Sequence, residues 1–244
     1  MFSIVAMRRI SFSAVLAVVL VFPGLTRAGA AADARWPARP SMFGSSGARL
    51  TYVVLGDSTA AGVGGNYDRG IAMATAEELG RRNQVAMTNL AVSGARIRDV
   101  RRLQLPMALT LRPDIVLLSA GANDVTHLTS VRRMQVDVRA IVQALRASNP
   151  DVKIVVTGSP DMGSPPRIPR LLRGLATFRT MQVNRMFRAE AAGLDLVFAP
   201  IAEATGPLFR RDRSLFAADR FHPNDCGYAT WIPILNAAIA RTTQ

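Results

Sequence analysis

The chain has 244 residues, 49% hydrophobic and 19% charged, which is enough for one sizeable α/β core and requires no second domain. Thirty Arg and Lys residues stand against 17 Asp and Glu, a formal charge of +13, and Lys153 is the only lysine. No aromatic-interleaved basic stripe or DNA-binding motif accompanies this charge, so no nucleic-acid partner is expected; adsorption to anionic membrane or cell wall is the partner class it suits.

Cys226 is the only cysteine, which excludes an internal disulfide. With two histidines beside it the usual zinc-ligand sets are missing, and neither a metal nor another cofactor is expected. Residues 1–30 carry a basic pair, Arg8 and Arg9, an apolar run from Ile10 to Phe22, and Ala28 and Ala30 in A-x-A relation. That is the pattern of a secretory signal peptide cut near Ala30, and its apolar run is shorter than the ~20 residues of a spanning helix. A secreted or envelope-associated protein follows, with a charge of +10 once Arg8, Arg9 and Arg27 are removed. Residues 31–48, rich in Pro, Gly, Ser and Ala, read as a flexible lead-in to a single domain at 49–244.

From residue 50 onward short apolar runs alternate with longer helical patterns. Strands are predicted at 50–55, 84–92, 114–120, 152–158 and 194–200, each apolar enough to be covered on both faces. Helices are predicted around 69–81, 96–104, 128–147, 170–192 and 224–240. In the third of these Val131, Met134, Val138, Ile141, Val142 and Leu145 make one apolar stripe. Alternating β and α implies an α/β fold, a parallel sheet with helices on both faces, and an active crevice at the carboxyl ends of its strands.

The stretch after the first strand, GDSTAAGVGG at 56–65, raises three possibilities: a phosphate cradle, a turn, or a nucleophile at Ser58. No lysine lies near it for a P-loop, and Gly62 and Gly64 are followed by Tyr67 where a dinucleotide motif needs glycine. The second strand brings Gly94 to the same rim, the third brings Gly121, Asn123 and Asp124, and DRFHP near the C-terminus holds Asp219 and His222 three residues apart. A serine hydroxyl needs a base, and a neutral imidazole held by a carboxylate is the group suited to that task.

These residues, in this order, resemble the SGNH hydrolases, the GDSL family of esterases and lipases, from about residue 50 to the end. The resemblance rests on Gly56, Asp57, Ser58 and Gly62, on Gly94, on Gly121, Asn123 and Asp124, and on Asp219, His222 and Pro223. It implies a three-layer αβα sandwich with a five-stranded parallel sheet, flavodoxin-like in type. Ser58 is then the expected nucleophile, His222 the base and Asp219 its orienting acid. The resemblance further implies an oxyanion hole from the backbone N–H groups of Ser58 and Gly94 and the side-chain amide of Asn123, with Asp57 holding the nucleophile loop. Thr59 departs from the family's usual leucine, a change expected to touch packing and leave the reaction type alone.

His127, three residues after Asp124, is a rival base that nothing else in the sequence supports. The expected activity is hydrolysis of carboxylic esters with short acyl groups. The alternatives are an O-acyltransferase or sugar O-deacetylase acting on cell-wall polysaccharide, or a non-catalytic basic surface-binding module. A Pro-rich segment, PDMGSPPRIPR at 160–170, is expected to form a stiff rim beside the site.

Overall fold

The computed structural model describes residues 41–243; the predicted signal segment and the first part of the lead-in lie outside them. The described residues form six strands, β1 (Ser41–Phe43), β2 (Arg49–Gly56), β3 (Gln84–Asn89), β4 (Ile115–Ser119), β5 (Lys153–Val156) and β6 (Val197–Phe198). They lie in the order β1-β3-β2-β4-β5-β6. β2 to β6 are parallel to their neighbours, and β1 runs antiparallel to β3.

The helices are α1 (Ile71–Gly80), α2 (Ile97–Asp99), α3 (Leu105–Leu111), α4 (Ala122–Thr126), α5 (Val131–Ser148), α6 (Arg170–Gly193), α7 (Ile201–Arg211) and α8 (Asp225–Ala240). The period of two along β2 divides the interior. Val53 and Leu55 join a core with Val138 and Ile141 of α5 and Phe187 of α6, while Tyr52 and Val54 join one with Ile71 of α1 and Tyr228 and Leu235 of α8. The result is the expected αβα sandwich.

The five-stranded expectation is corrected to six strands with one antiparallel edge. Ser41–Phe43, read as part of the lead-in, pair with Val85–Met87. Three residues before a Gly/Ser-rich turn are too few to show a period of two, so β1 carried no signal of its own. The expected helix at 96–104 is α2 followed by a π-helical turn, Val100–Gln104, that leads into α3. Helix α7 was not expected, because Gly206 and Pro207 lie within its IAEATGPLFRR sequence and read as a break.

β3 lies on one side of β2 and β4 on the other, so the crossovers leaving β2 and β3 go opposite ways. The carboxyl end of β2 is therefore a topological switch point, where a parallel sheet opens a crevice.

Candidate active site

Ser58 stands two residues beyond the end of β2. At Gly56 an added Cβ would come within 2.1 Å of the Ser119 carbonyl oxygen, so only glycine lets β2 run this close to β4. Past it the chain coils: Ala61 N–H donates to the Asp57 carbonyl (3.0 Å) and Val63 N–H to that of Ser58 (2.9 Å). Gly64, at φ +97°, lies against the loop bearing His222, where a Cβ would sit 2.5 Å from the Pro223 carbonyl oxygen and 2.7 Å from the His222 Cβ. The glycines of GDSTAAGVGG thus serve close approach of three chain segments, and the Tyr228 hydroxyl fastens the loop by donating to the Val63 carbonyl (2.6 Å).

The opposing loop is as tightly specified. A single bridge pairs Phe216 with Pro223, and Ala217 N–H donates to the His222 carbonyl at 2.8 Å. Asp219 Oδ1 accepts the N–H groups of Phe221 (2.9 Å) and His222 (3.0 Å). Asp219 Oδ2 lies 2.5 Å from His222 Nδ1, and His222 Nε2 lies 2.9 Å from the Ser58 Oγ. Burial pushes the Asp219 carboxyl up, but the hydrogen bonds from the His222 ring and the two backbone N–H groups outweigh it and hold the group below the usual carboxylate range. An ionised Asp219 takes the proton-bearing Nδ1 and leaves the Nε2 lone pair facing the serine hydroxyl.

Asp57 is buried behind the serine. Its Oδ1 accepts both the N–H (2.9 Å) and the hydroxyl (2.8 Å) of Thr59, while Oδ2 is buried without a partner. Burial raises its carboxyl above the ordinary range against the pull of those two bonds. Thr59 therefore does more than fill space, since its hydroxyl bonds to a carboxylate where leucine could not.

Gly94 sits in an exposed turn after β3 with φ +83°, and open space lies where its Cβ would be. Asn123, on α4 after β4, donates from Nδ2 to the Ala95 carbonyl at 3.1 Å and lines the pocket beside Ser58. Parallel β2, β3 and β4 thus bring Ser58, Gly94 and Asn123 to the same edge of the sheet, where Ser58 and Asn123 line the pocket and Gly94 stays in its exposed turn outside the lining. His127 stays apart: it is exposed, and its Nδ1 meets the Asn123 carbonyl oxygen of its own helix at 2.8 Å. Asp124 does not pair with it, because its Oδ2 accepts the N–H of Ile97 (2.9 Å). Burial pushes the Asp124 carboxyl up to about 6, eased by that N–H.

A pocket of about 490 Å³ opens beside Ser58 and His222. Side chains from the Ser58 loop, the Pro-rich segment, α7 and α8 crowd it into a narrow slot. Met162, Phe209, Phe216, Phe221 and Trp231 supply its apolar walls. The Pro-rich segment forms one side and is pinned: Asp161 pairs with Arg210 and accepts from the Thr177 hydroxyl (3.0 Å), and Arg167 N–H donates to the Arg220 carbonyl (3.0 Å).

Two contributors escaped the sequence reading. Gln104, in the π-helical turn, is buried and bonds to both backbone groups of Gly56; a lone amide facing into an apolar helix pattern was its only signal. Phe209 lies on the unexpected α7, so the pocket wall it makes had no signal either.

The geometry agrees with what the chain resembles. The GDSL-like lipase/acylhydrolase family matches residues 54–230, a span that holds Ser58, Gly94, Asn123, Asp219 and His222. The GDSL-like esterase Rv1075c of Mycobacterium tuberculosis is 30% identical over 195 residues, or 77% of this chain, and the chain spans about 60% of that relative's length. Among solved structures, a GDSL-like lipase from Parabacteroides merdae superposes with a TM-score of 0.64 at 18% identity, covering 81% of this chain and 99% of its own. A variant of Axe2, an acetylxylan esterase from Geobacillus stearothermophilus, superposes with a TM-score of 0.61 at 17% identity, covering 80% and 95%. At those identities the superpositions establish the fold, and the match along the sequence from Val54 to Thr230 establishes the lineage: the chain belongs to the GDSL-like lipase/acylhydrolase family.

Proposed function

We propose that this protein is a serine ester hydrolase, with Ser58 as nucleophile, His222 as base and Asp219 as the acid that orients it. The observation that carries the reading is the continuous line from Asp219 Oδ2 through His222 to the Ser58 Oγ, with contacts of 2.5 and 2.9 Å, at the carboxyl end of β2. Ser58 Oγ attacks the ester carbonyl carbon while its proton passes to His222 Nε2. The oxyanion so formed is received by the N–H groups of Ser58 and Gly94 and by Asn123 Nδ2, whose amide is oriented by its bond to the Ala95 carbonyl. Collapse expels the alcohol, which takes the proton from His222 and leaves an acyl group on Ser58. Water then attacks that acyl carbon, giving its proton to His222, and the acid departs as Oγ recovers a proton.

The narrow apolar slot beside Ser58 supports short acyl groups as the preferred substrates. The leader read from residues 1–30 supports action outside the cytoplasm. The test is kinetic: Ser58→Ala should lower kcat for an acetyl ester by roughly 10³-fold or more with the fold intact. Equal turnover by the variant would refute the reading.

A further inference from the structure

The outward face of α6 is the wrong kind of surface for water. Leu171, Leu175, Phe178 and Met181, spaced four, three and three residues apart, form one stripe and are 96%, 44%, 54% and 58% exposed. The opposite side of the same helix already fills the core with Val183, Met186 and Phe187. Four large apolar side chains in one exposed stripe mark a surface that meets something other than solvent.

The charge around the stripe says what. From Met162 to Ala189 the sequence holds no Asp or Glu and six arginines. Arg173 and Arg179 bond to backbone carbonyls, and Arg188 pairs with Glu203. Arg167, Arg170 and Arg185 are exposed, and none joins an ion pair among the described residues. A second copy of this face would set arginines against arginines, whereas an anionic headgroup layer offers charge to the arginines and acyl chain to the stripe. No helix among the described residues is long and apolar enough to cross a membrane, so such a surface would lie on a bilayer and not span it.

The stripe also borders the site. Leu172 and Leu175 share a small apolar groove with Val125 and Leu128, on and just after α4, the helix that carries Asn123. Ahead of α6 the chain runs through Met162 and Pro165, which line the Ser58 pocket. We propose that the outward face of α6, with Arg167, Arg170 and Arg185, seats on the anionic surface of a lipid bilayer and holds the mouth of the Ser58 pocket at that surface. The use of the docked state rests on the ester hydrolase reading; the docking itself does not.

The experiment is co-sedimentation of the mature protein with vesicles of phosphatidylcholine mixed with phosphatidylglycerol, and with phosphatidylcholine alone. Binding is expected only with the anionic lipid and should weaken as salt is raised. The double variant Leu171→Ser/Phe178→Ser should bind about tenfold more weakly or less, and Arg167→Gln/Arg170→Gln about tenfold more weakly. Both should keep the thermal midpoint and the turnover of a soluble acetyl ester, which shows that they are folded. Absence of vesicle binding by the unaltered protein, or unchanged binding by the serine variant, overturns the proposal. So does a lipid-free dimer in sedimentation velocity that the serine variant abolishes, which would make a second copy the occupant. Running the same binding on Ser58→Ala separates the two readings, since docking should survive there whether or not Ser58 is the nucleophile.

Discussion

The side chain of Gln104 forms a closed pair of hydrogen bonds with the backbone of Gly56: Oε1 accepts the Gly56 N–H at 2.8 Å and Nε2 donates to the Gly56 carbonyl at 2.8 Å. Val92 N–H also donates to that carbonyl (3.1 Å), so only the Gly56 N–H depends wholly on Gln104. The π-helical turn carries this amide to the end of β2, two residues before Ser58.

Gln104→Leu should therefore leave a buried N–H unpaired and cost about 1–3 kcal/mol of stability. Because the strand end sets where Ser58 points, kcat should fall by roughly tenfold or more while KM changes little. Gln104→Glu keeps an acceptor for the Gly56 N–H but, when ionised, sets an oxygen against the Gly56 carbonyl where Nε2 now donates, so it should recover the loss only at a pH low enough to protonate it. A stability loss with unchanged kcat would confine Gln104 to the scaffold.

Asp124 sets a pH dependence of the opposite sign to that of most paired carboxylates. Burial raises its folded pKa to about 6, above the ordinary value, so the folded state prefers it protonated. Its contribution is fully favourable below about pH 4 and is lost as pH rises to about 6, a difference on the order of 2–3 kcal/mol. Glu190, held below its ordinary range chiefly by hydrogen bonds from Arg139, works the other way, and its contribution is lost as pH falls. Asp124→Asn keeps an acceptor for the Ile97 N–H and places an amide where Oδ1 now lies buried without a partner. Denaturation from pH 4 to pH 7 should show the variant gaining on the unaltered protein through that window. Parallel curves would contradict the assignment.

The rival histidines separate by their surroundings. His222→Ala should lower kcat/KM by roughly 10³-fold or more, and Asp219→Asn by about 10²–10⁴-fold through loss of the tautomer that faces Ser58. His127 is exposed and bonded within its own helix, so His127→Ala should stay within about twofold. A large loss at His127 would move the base to the end of α4.

Much of this was legible in the sequence, for definable reasons. β2 and β4 are apolar on both faces, and the groups at the ends of β2, β3 and β4, with those of DRFHP, are residue types whose chemistry narrows the choices. β1 was not legible because three residues show no period, and α7 was not because a proline tolerated inside it reads as a stop. The role of Thr59 was missed because its bond to Asp57 Oδ1 depends on the turn that brings the two side chains together. Gln104 depends on a contact 48 residues away in sequence, which no local pattern encodes.

The narrow slot predicts a length preference. Across acetyl, butyryl, octanoyl and palmitoyl p-nitrophenyl esters kcat/KM should be highest at the short end, because longer chains find no further apolar wall inside a space this narrow. Met162→Ala opens one wall and should shift preference toward butyryl by about fourfold for each methylene newly buried. A rise toward palmitoyl in the unaltered enzyme would mean that the chain leaves the slot for another surface.

Covalent capture reports most directly on whether Ser58 is an activated nucleophile. The protein is treated with an ethyl phosphonate ester and digested, and the adduct is located by peptide mass mapping. The expected result is one phosphonate on Ser58, formed in step with loss of esterase activity and abolished in His222→Ala, since the hydroxyl needs its base and the oxyanion donors to react. An adduct on any other residue, or full inactivation with Ser58 unmodified, would contradict it.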